Sequence, residues 1–174
     1  MVAVSRVALR PATAADVALV RRWDEAPHVA ASDPNDDWQW ETELGRDVPW
    51  RAQLIAEVDG VPIGYLEIID PARDDEQYWG DCGPGLRAID IWIGEAAYLG
   101  QGYGTQMMRQ ALARCFADPA VAAVVIDPLA SNADAIRFYQ RLGFALVELR
   151  WFGADHCAVH RLDRATWARA GDAV

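Results

Sequence analysis

Lysine is the conspicuous absence from this chain: arginine supplies all 16 basic side chains among 174 residues. A Walker phosphate loop, which closes on Gly-Lys-Ser/Thr, is therefore excluded. No apolar run reaches the roughly 18 residues needed to cross a bilayer, so no membrane partner is expected. Cysteine is scarce and odd in number. Cys82, Cys115 and Cys157 lack close paired spacing, which argues against a disulfide framework or zinc site and for a reducing compartment. His28, His156 and His160 are too scattered for a metal site or a catalytic pair, and no metal is expected. Residues 1–10 lack a long apolar core followed by a small-residue cleavage site, so a cytoplasmic protein is expected. Bases are also few against 26 acids, and the net charge is −10. Phosphate-rich partners, nucleic acid and anionic membrane alike, are repelled by that balance, whereas a cationic small molecule suits it.

What is present is an ordinary globular composition, 52% apolar and 24% charged. The length suits a single domain over residues 1–174, burying about two-thirds of the surface of its unfolded chain. Residues 7–10 read as a short strand before Pro11, and Thr13 with Asp16 marks a capped helix carrying Val17, Leu19, Val20 and Trp23. Residues 27–49 show no clean period; Trp38 and Trp40 sit there among acids, with Trp50 just beyond, and the region reads as partly helical. Residues 51–58 and 61–69 form a hairpin around Asp59-Gly60. An acidic loop follows, with Asp70, Asp74, Asp75, Glu76 and Asp81 against the lone base Arg73. Met107, Met108, Ala111, Leu112, Cys115 and Phe116 fall on one helical face, which reads as core. Residues 122–126 are a strand parallel to the one through Ile89 by the crossover rule. Ser131 or Asn132 caps a helix that Gly143 stops, and residues 144–151 and 156–162 close the chain as a hairpin. The fold class is mixed α/β (α+β).

Function is most legible in residues 89–105, where an apolar strand breaks into a loop with glycine at 100, 102 and 104 and passes directly into a helix. Glycines let the backbone approach a ligand, and unpaired N–H groups at the helix start favour an anion. The dinucleotide fingerprint fails because position 105 is Thr. What remains, Gly100-Gln101-Gly102-Tyr103-Gly104, resembles the pyrophosphate loop of the GCN5-related N-acetyltransferases (GNAT), which bind acetyl-coenzyme A. Asn132, Ala135, Tyr139 and Gly143-Phe144 stand at the intervals of a second segment of that superfamily. Over nearly the whole chain the resemblance is greatest to bacterial aminoglycoside 6′-N-acetyltransferases. It is carried by Pro62-Ile63-Gly64-Tyr65, Pro84-Gly85, Arg87, Ile89-Asp90, Leu99-Gly100, Gly104-Thr105, Asp127-Pro128 and Ser131-Asn132.

The resemblance implies the GNAT fold: a central mixed, mostly antiparallel sheet with a parallel pair splayed around the acetyl-CoA site and helices on both faces. It implies that Ile91, Trp92, Ile93, Leu99, Gly100, Gln101, Gly102, Tyr103, Gly104, Thr105, Asn132 and Tyr139 bind the cofactor, acetyl-CoA. Asp90 and Tyr139 become the catalytic pair, and Trp38, Tyr78, Trp79, Asp81, Asp90 and Asp127 the contacts to a cationic amine. Chemically, a carboxylate binds the ammonium and relays its proton, and a phenol with a pKa of about 10 can protonate the departing thiolate. The expected reaction is direct attack by a primary amine, most plausibly the 6′-amine of an aminoglycoside, in a ternary complex on a monomer or homodimer. Cysteine-based ping-pong is disfavoured because Cys115 lies on a core face and neither it nor Cys82 has a histidine nearby. Where the subgroup carries adjacent tryptophans after His28, this chain has Ala30-Ala31-Ser32, with Trp38 and Trp40 later. Two alternatives stand beside this reading. One is an N-acyltransferase of hydroxamate-siderophore or lysine-type amines, whose members carry histidine where Asp90 stands; the other is a non-catalytic acyl-CoA-binding protein.

Overall fold

A computed structural model describes residues 5–171; Met1–Val4, the opening of the segment read for a leader, lie outside the described residues. The strands are β1 (Val7–Pro11), β2 (Arg51–Val58), β3 (Val61–Ile69), β4 (Leu86–Ile93), β5 (Ala123–Ile126), β6 (Ala145–Phe152) and β7 (Asp155–Asp163). The helices are α1 (Val17–Asp24), α2 (Pro27–Ala30), α3 (Trp40–Glu43), α4 (Tyr103–Ala117), α5 (Ala133–Arg141) and α6 (Arg164–Gly171). One seven-stranded sheet runs in the order β1-β2-β3-β4-β5-β7-β6. Only β4 and β5 are parallel among the pairings with a described register, and that register spans Leu86↔Ala123 to Ala88↔Val125. The mixed sheet with a parallel pair is the one anticipated, and β2 and β3 begin and end at the expected residues.

Compactness divides the chain into two units. The first comprises residues up to Ile68 together with Asp90–Ala111, and the second Ile69–Ile89 together with Leu112 onward. Strand β4 thus changes unit between Ile89 and Asp90. The first unit buries Val20, Trp23, Trp40, Leu44, Ile55 and Tyr65 as a cluster. Residues 14–16 make a 3-10 turn before α1, and the Thr13 N–H donates to Asp16 Oδ2 at 2.9 Å, the start expected from the Thr-Asp spacing. Arg10 clamps the same carboxylate and holds it below the usual range. Residues 27–49 hold two four-residue helices, α2 and α3. Helix α4 is stapled to β1: Val7 N–H donates to Gln106 Oε1 at 3.0 Å, and Gln110 Nε2 donates to Val7 O at 2.8 Å.

The second unit packs Trp79, Ala88, Val125, Phe152, Cys157 and Val159 together. Strands β6 and β7 pair around Gly153; β6 lies one residue later than the sequence suggested, and β7 is one residue longer at each end. Gly143, with φ of +98°, lets the chain leave α5. Helix α6 was not anticipated. Arg164, its first residue, stacks 5.2 Å above Phe116 and donates to the carbonyls of Phe116 and Val121, and Trp167 stacks on Phe116. The stripe from Met107 to Phe116 is buried, as its spacing implied.

Candidate active site

Phosphate binding needs donors converging on open space. After β4 the chain makes a 3-10 turn at Ala96–Tyr98 and then a loop into α4. Glycine is needed at 100 and 102, where φ is +70° and +83°. A Cβ at either would meet nothing within 4 Å, so the loop backbone is open to an approaching group. Gln106 N–H is bonded back, to Gly102 O at 3.2 Å, and the earlier N–H groups of α4 have no intrahelical acceptor. With the dipole of a 15-residue helix behind them, they favour an anion. The loop's root is fixed by Glu95, which accepts from Trp23 Nε1 at 2.8 Å and from Arg22 at 2.5 Å. Gln101 donates back to Ala97 O, while Leu99 is exposed and Tyr103 buried. Gly104 and Thr105 lie in the first turn of α4. This geometry fits a pyrophosphate held by backbone.

Upstream, β4 presents Asp90, Ile91, Trp92 and Ile93 beyond the reach of the described β5 ladder. His28 Nε2 donates to Ile93 O at 2.8 Å and secures that end. Asp90 is not alone. It hydrogen-bonds Glu67 of β3, a buried carboxyl that also accepts from Tyr65 Oη at 2.7 Å and bonds Gln53. Burial raises the Glu67 pKa, and the bonds to Tyr65 and Asp90 with the Arg51 charge oppose that rise. Burial likewise drives the Tyr65 phenol well above its usual range, which makes it a donor to Glu67. Two carboxyls in hydrogen-bond contact hold a proton between them. Glu67 and Tyr65 were not picked out as site residues from sequence; the signal was an acid inside the apolar run of β3.

Next to this pair stands an aromatic box. Trp38 stacks on Trp40 with centroids 5.0 Å apart and planes 2° from parallel, and both present edges to Tyr65 and Trp92. This stacked pair lies ten and twelve positions beyond His28, not directly after it. Trp38 Nε1 donates to Asp33 Oδ2 at 2.7 Å. Burial, reinforced by Asp36, pushes the Asp33 carboxyl up to about 8. Trp38 and Trp40 also line a cavity of about 270 Å³ with Asp24, Glu25, Asp36 and Asp37, and with Arg21 paired to Glu41 at 3.0 Å.

The remaining candidates belong to the second unit. Tyr78 is exposed, stacks on Phe152 at 4.6 Å and 5°, and donates its hydroxyl to Asp127 Oδ2 at 2.6 Å. Trp79 is buried in the core cluster beneath that stack, and Asp81 is exposed on the same loop. Asn132 caps α5, its Oδ1 accepting from Ala135 N–H at 3.1 Å. Tyr139 sits one-tenth exposed between Phe138 and Phe144. Burial pushes the Cys115 thiol up to about 12 and raises that of Cys82, so neither is primed as a nucleophile.

A backbone anion cradle leading into a helix, preceded by a strand whose Asp90 meets Glu67 of β3, fits an acyltransferase of the coenzyme A-dependent class. Residues 12–151 match the acetyltransferase (GNAT) domain family, and the chain belongs to it: it is an N-acetyltransferase whose acyl donor is acetyl-CoA. Among its relatives is the aminoglycoside N(6′)-acetyltransferase type 1 of Klebsiella pneumoniae, 30% identical over 154 residues, covering 79% of this chain and 73% of that one. The lysine N-acyltransferase MbtK of Mycolicibacterium paratuberculosis is 29% identical over 168 residues, 93% of this chain and 76% of that one. The crystal structure of aminoglycoside acetyltransferase AAC(6′)-Ib with coenzyme A and kanamycin superposes with a TM-score of 0.85. It is 26% identical, and the match covers 95% of this chain and 99% of that chain.

Proposed function

We propose that residues 1–174 act as one cytoplasmic catalytic domain that acetylates a primary amine of a cationic small molecule, the 6′-amine of an aminoglycoside. The observation that carries this reading is the Glu67–Asp90 carboxyl pair beside the Trp38–Trp40 box. Acetyl-CoA, when bound, supplies the acetyl group as a thioester. Backbone N–H groups from Gly100 to Thr105 hold its pyrophosphate, and Leu99, Gln101 and Tyr103 shape the loop. Ile91, Trp92 and Ile93 hold the pantetheine arm, and Asn132 is the second unit's candidate contact to the cofactor.

Acceptor binding and acceptor activation oppose each other. A carboxylate attracts an ammonium but also stabilises its unreactive charged form. A carboxyl pair sharing one proton eases the conflict, because it carries one negative charge where two isolated carboxylates carry two. Asp90 therefore orients the amine and takes its proton directly or through water, while Glu67 and Tyr65 set its basicity. Tyr139 offers its phenolic proton to the sulfur. Trp38 and the acids around its cavity receive a ring and amines of the acceptor; in the second unit Tyr78, Asp81 and Asp127 are the candidate polar contacts, and Trp79 supports the Tyr78 stack.

A second reading, a lysine-type acceptor, is favoured by the larger share of this chain that aligns with the lysine N-acyltransferase. Thiol release from acetyl-CoA against kanamycin, tobramycin, spermidine and lysine separates the two. We expect saturable turnover with the aminoglycosides, lost on an analogue bearing a 6′-hydroxyl; turnover confined to lysine would overturn the assignment. In the same assay Glu67→Gln should lower kcat by roughly 10²-fold while leaving coenzyme A affinity unchanged. It should also shift the acidic limb of the pH profile, because Asp90 loses its carboxyl partner. An unshifted limb would remove Glu67 from the mechanism.

A further inference from the structure

The outer edge of the sheet carries apolar surface that the acetyltransferase chemistry does not use. Strand β6 is last in the sheet order, and its pairing with β7 fixes which residues share a face. Leu146, Leu149 and Trp151 lie opposite His160, Ala158 and His156, on one side of the sheet, and are 55%, 58% and 65% exposed. Val147, at the register shift, is 58% exposed. Glu148 and Arg150 lie opposite Val159 and Cys157, on the other face. Natural edge strands are blunted by charged side chains, proline, short length or β-bulges. This one has eight residues, no proline and an apolar outer row, with one register shift at Val147 and charges only at Glu148 and Arg150.

We propose that β6 is the dimerisation edge of this protein, pairing antiparallel with β6 of a second copy about a two-fold axis through Leu149. The sequence of the strand is self-complementary in that register. Leu149 meets its own copy, and Trp151 faces Val147. On the other side Glu148 faces Arg150 twice, once on each side of the axis. Slipping the register by two residues sets Glu148 against Glu148 or Arg150 against Arg150. Slipping it by one turns the apolar row onto the charged face. Opposite charges across a strand pair stabilise and like charges destabilise it, so these alternatives are disfavoured. Because symmetric closure uses up both edges, the product is a discrete dimer and not a fibre.

Sedimentation velocity over a concentration series tests this. The wild type should show a monomer–dimer equilibrium, strengthened by neither coenzyme A nor acceptor. Glu148→Arg should weaken association at least about tenfold, or ~1.4 kcal/mol, and Glu148→Arg with Arg150→Glu should restore it to within about twofold. Arg150 also stacks over Phe152 and donates to Trp79 O, so the double variant carries a risk to folding. Leu149→Asp, at a solvent-exposed position, provides the second arm: it sets two carboxylates on the axis and should abolish the dimer with the far-ultraviolet spectrum unchanged. A wild type that stays monomeric at every concentration, as it would if the edge served a different partner, overturns the proposal. So does a dimer indifferent to both Glu148→Arg and Leu149→Asp.

Discussion

Asp33 is a carboxyl whose surroundings keep its proton into the neutral range, and its consequences can be worked through with sign. Burial first and Asp36 second lift its pKa to about 8, against about 4 in an unfolded chain. The folded state therefore binds a proton that the unfolded state has released across that interval. Stability contributed by the protonated group is complete below about 4, declines as pH rises, and is gone above about 8. Thermal unfolding should accordingly show Tm falling between pH 5 and pH 8, with Asp33→Asn flattening the slope; equal slopes in the two proteins would count against it. Glu67 shows why such groups escape a reading of sequence. One acid in an otherwise apolar strand reads as the solvent side of an alternating pattern. Its burial is decided by Tyr65 on the same strand face, by Gln53 on β2 and by Asp90 on β4. No spacing rule connects those four residues.

Elements that carry their own punctuation were legible. The Asp59-Gly60 turn fixed β2 and β3, and the glycine loop fixed the start of α4. Helix α6 was not, because Arg-Ala-Thr-Trp-Ala-Arg-Ala-Gly has no apolar stripe of its own. It is held by Arg164 on the carbonyls of Phe116 and Val121 and by Trp167 on Phe116, contacts made 43 or more positions away. The Trp38–Trp40 stack was hidden for a similar reason, since stacking depends on where α3 sets down Trp40. Just past the end of β4, Gly94 packs directly against Trp23 of α1. A Cβ at Gly94 would lie 2.1 Å from Trp23 Cγ. Overfilling a packed site typically costs about 1–3 kcal/mol, and here the neighbour is a fully enclosed ring. Gly94→Ala should therefore lower stability by about 3 kcal/mol in urea titration. Trp23→Leu in the same chain should recover part of that loss, and additive effects of the two changes would refute the contact.

For the whole molecule the dominant fact is the charge of −10. A strongly acidic enzyme draws a polycationic acceptor from a distance and repels a polyanionic donor, both through fields that salt screens with a Debye length of about 10 Å at 0.1 M. Raising ionic strength should thus raise KM for a polyamine acceptor several-fold while leaving KM for acetyl-CoA flat or lower. Parallel rises for both substrates would show that screening of steering is not the cause. Charge of this sign was plain in the sequence; its concentration around Trp38, from Asp24, Asp36, Asp37 and Glu41, was not. That location also gives the box an optical life. Trp38, Trp40 and Trp92 lie within 5.0 to 6.1 Å of one another, close enough for excitation to migrate among the three indoles before any photon leaves. Their emission is therefore coupled, and a ring resting on Trp38 would perturb it. Under the proposed acceptor site, docking would be readable as a change in indole fluorescence, without label or turnover.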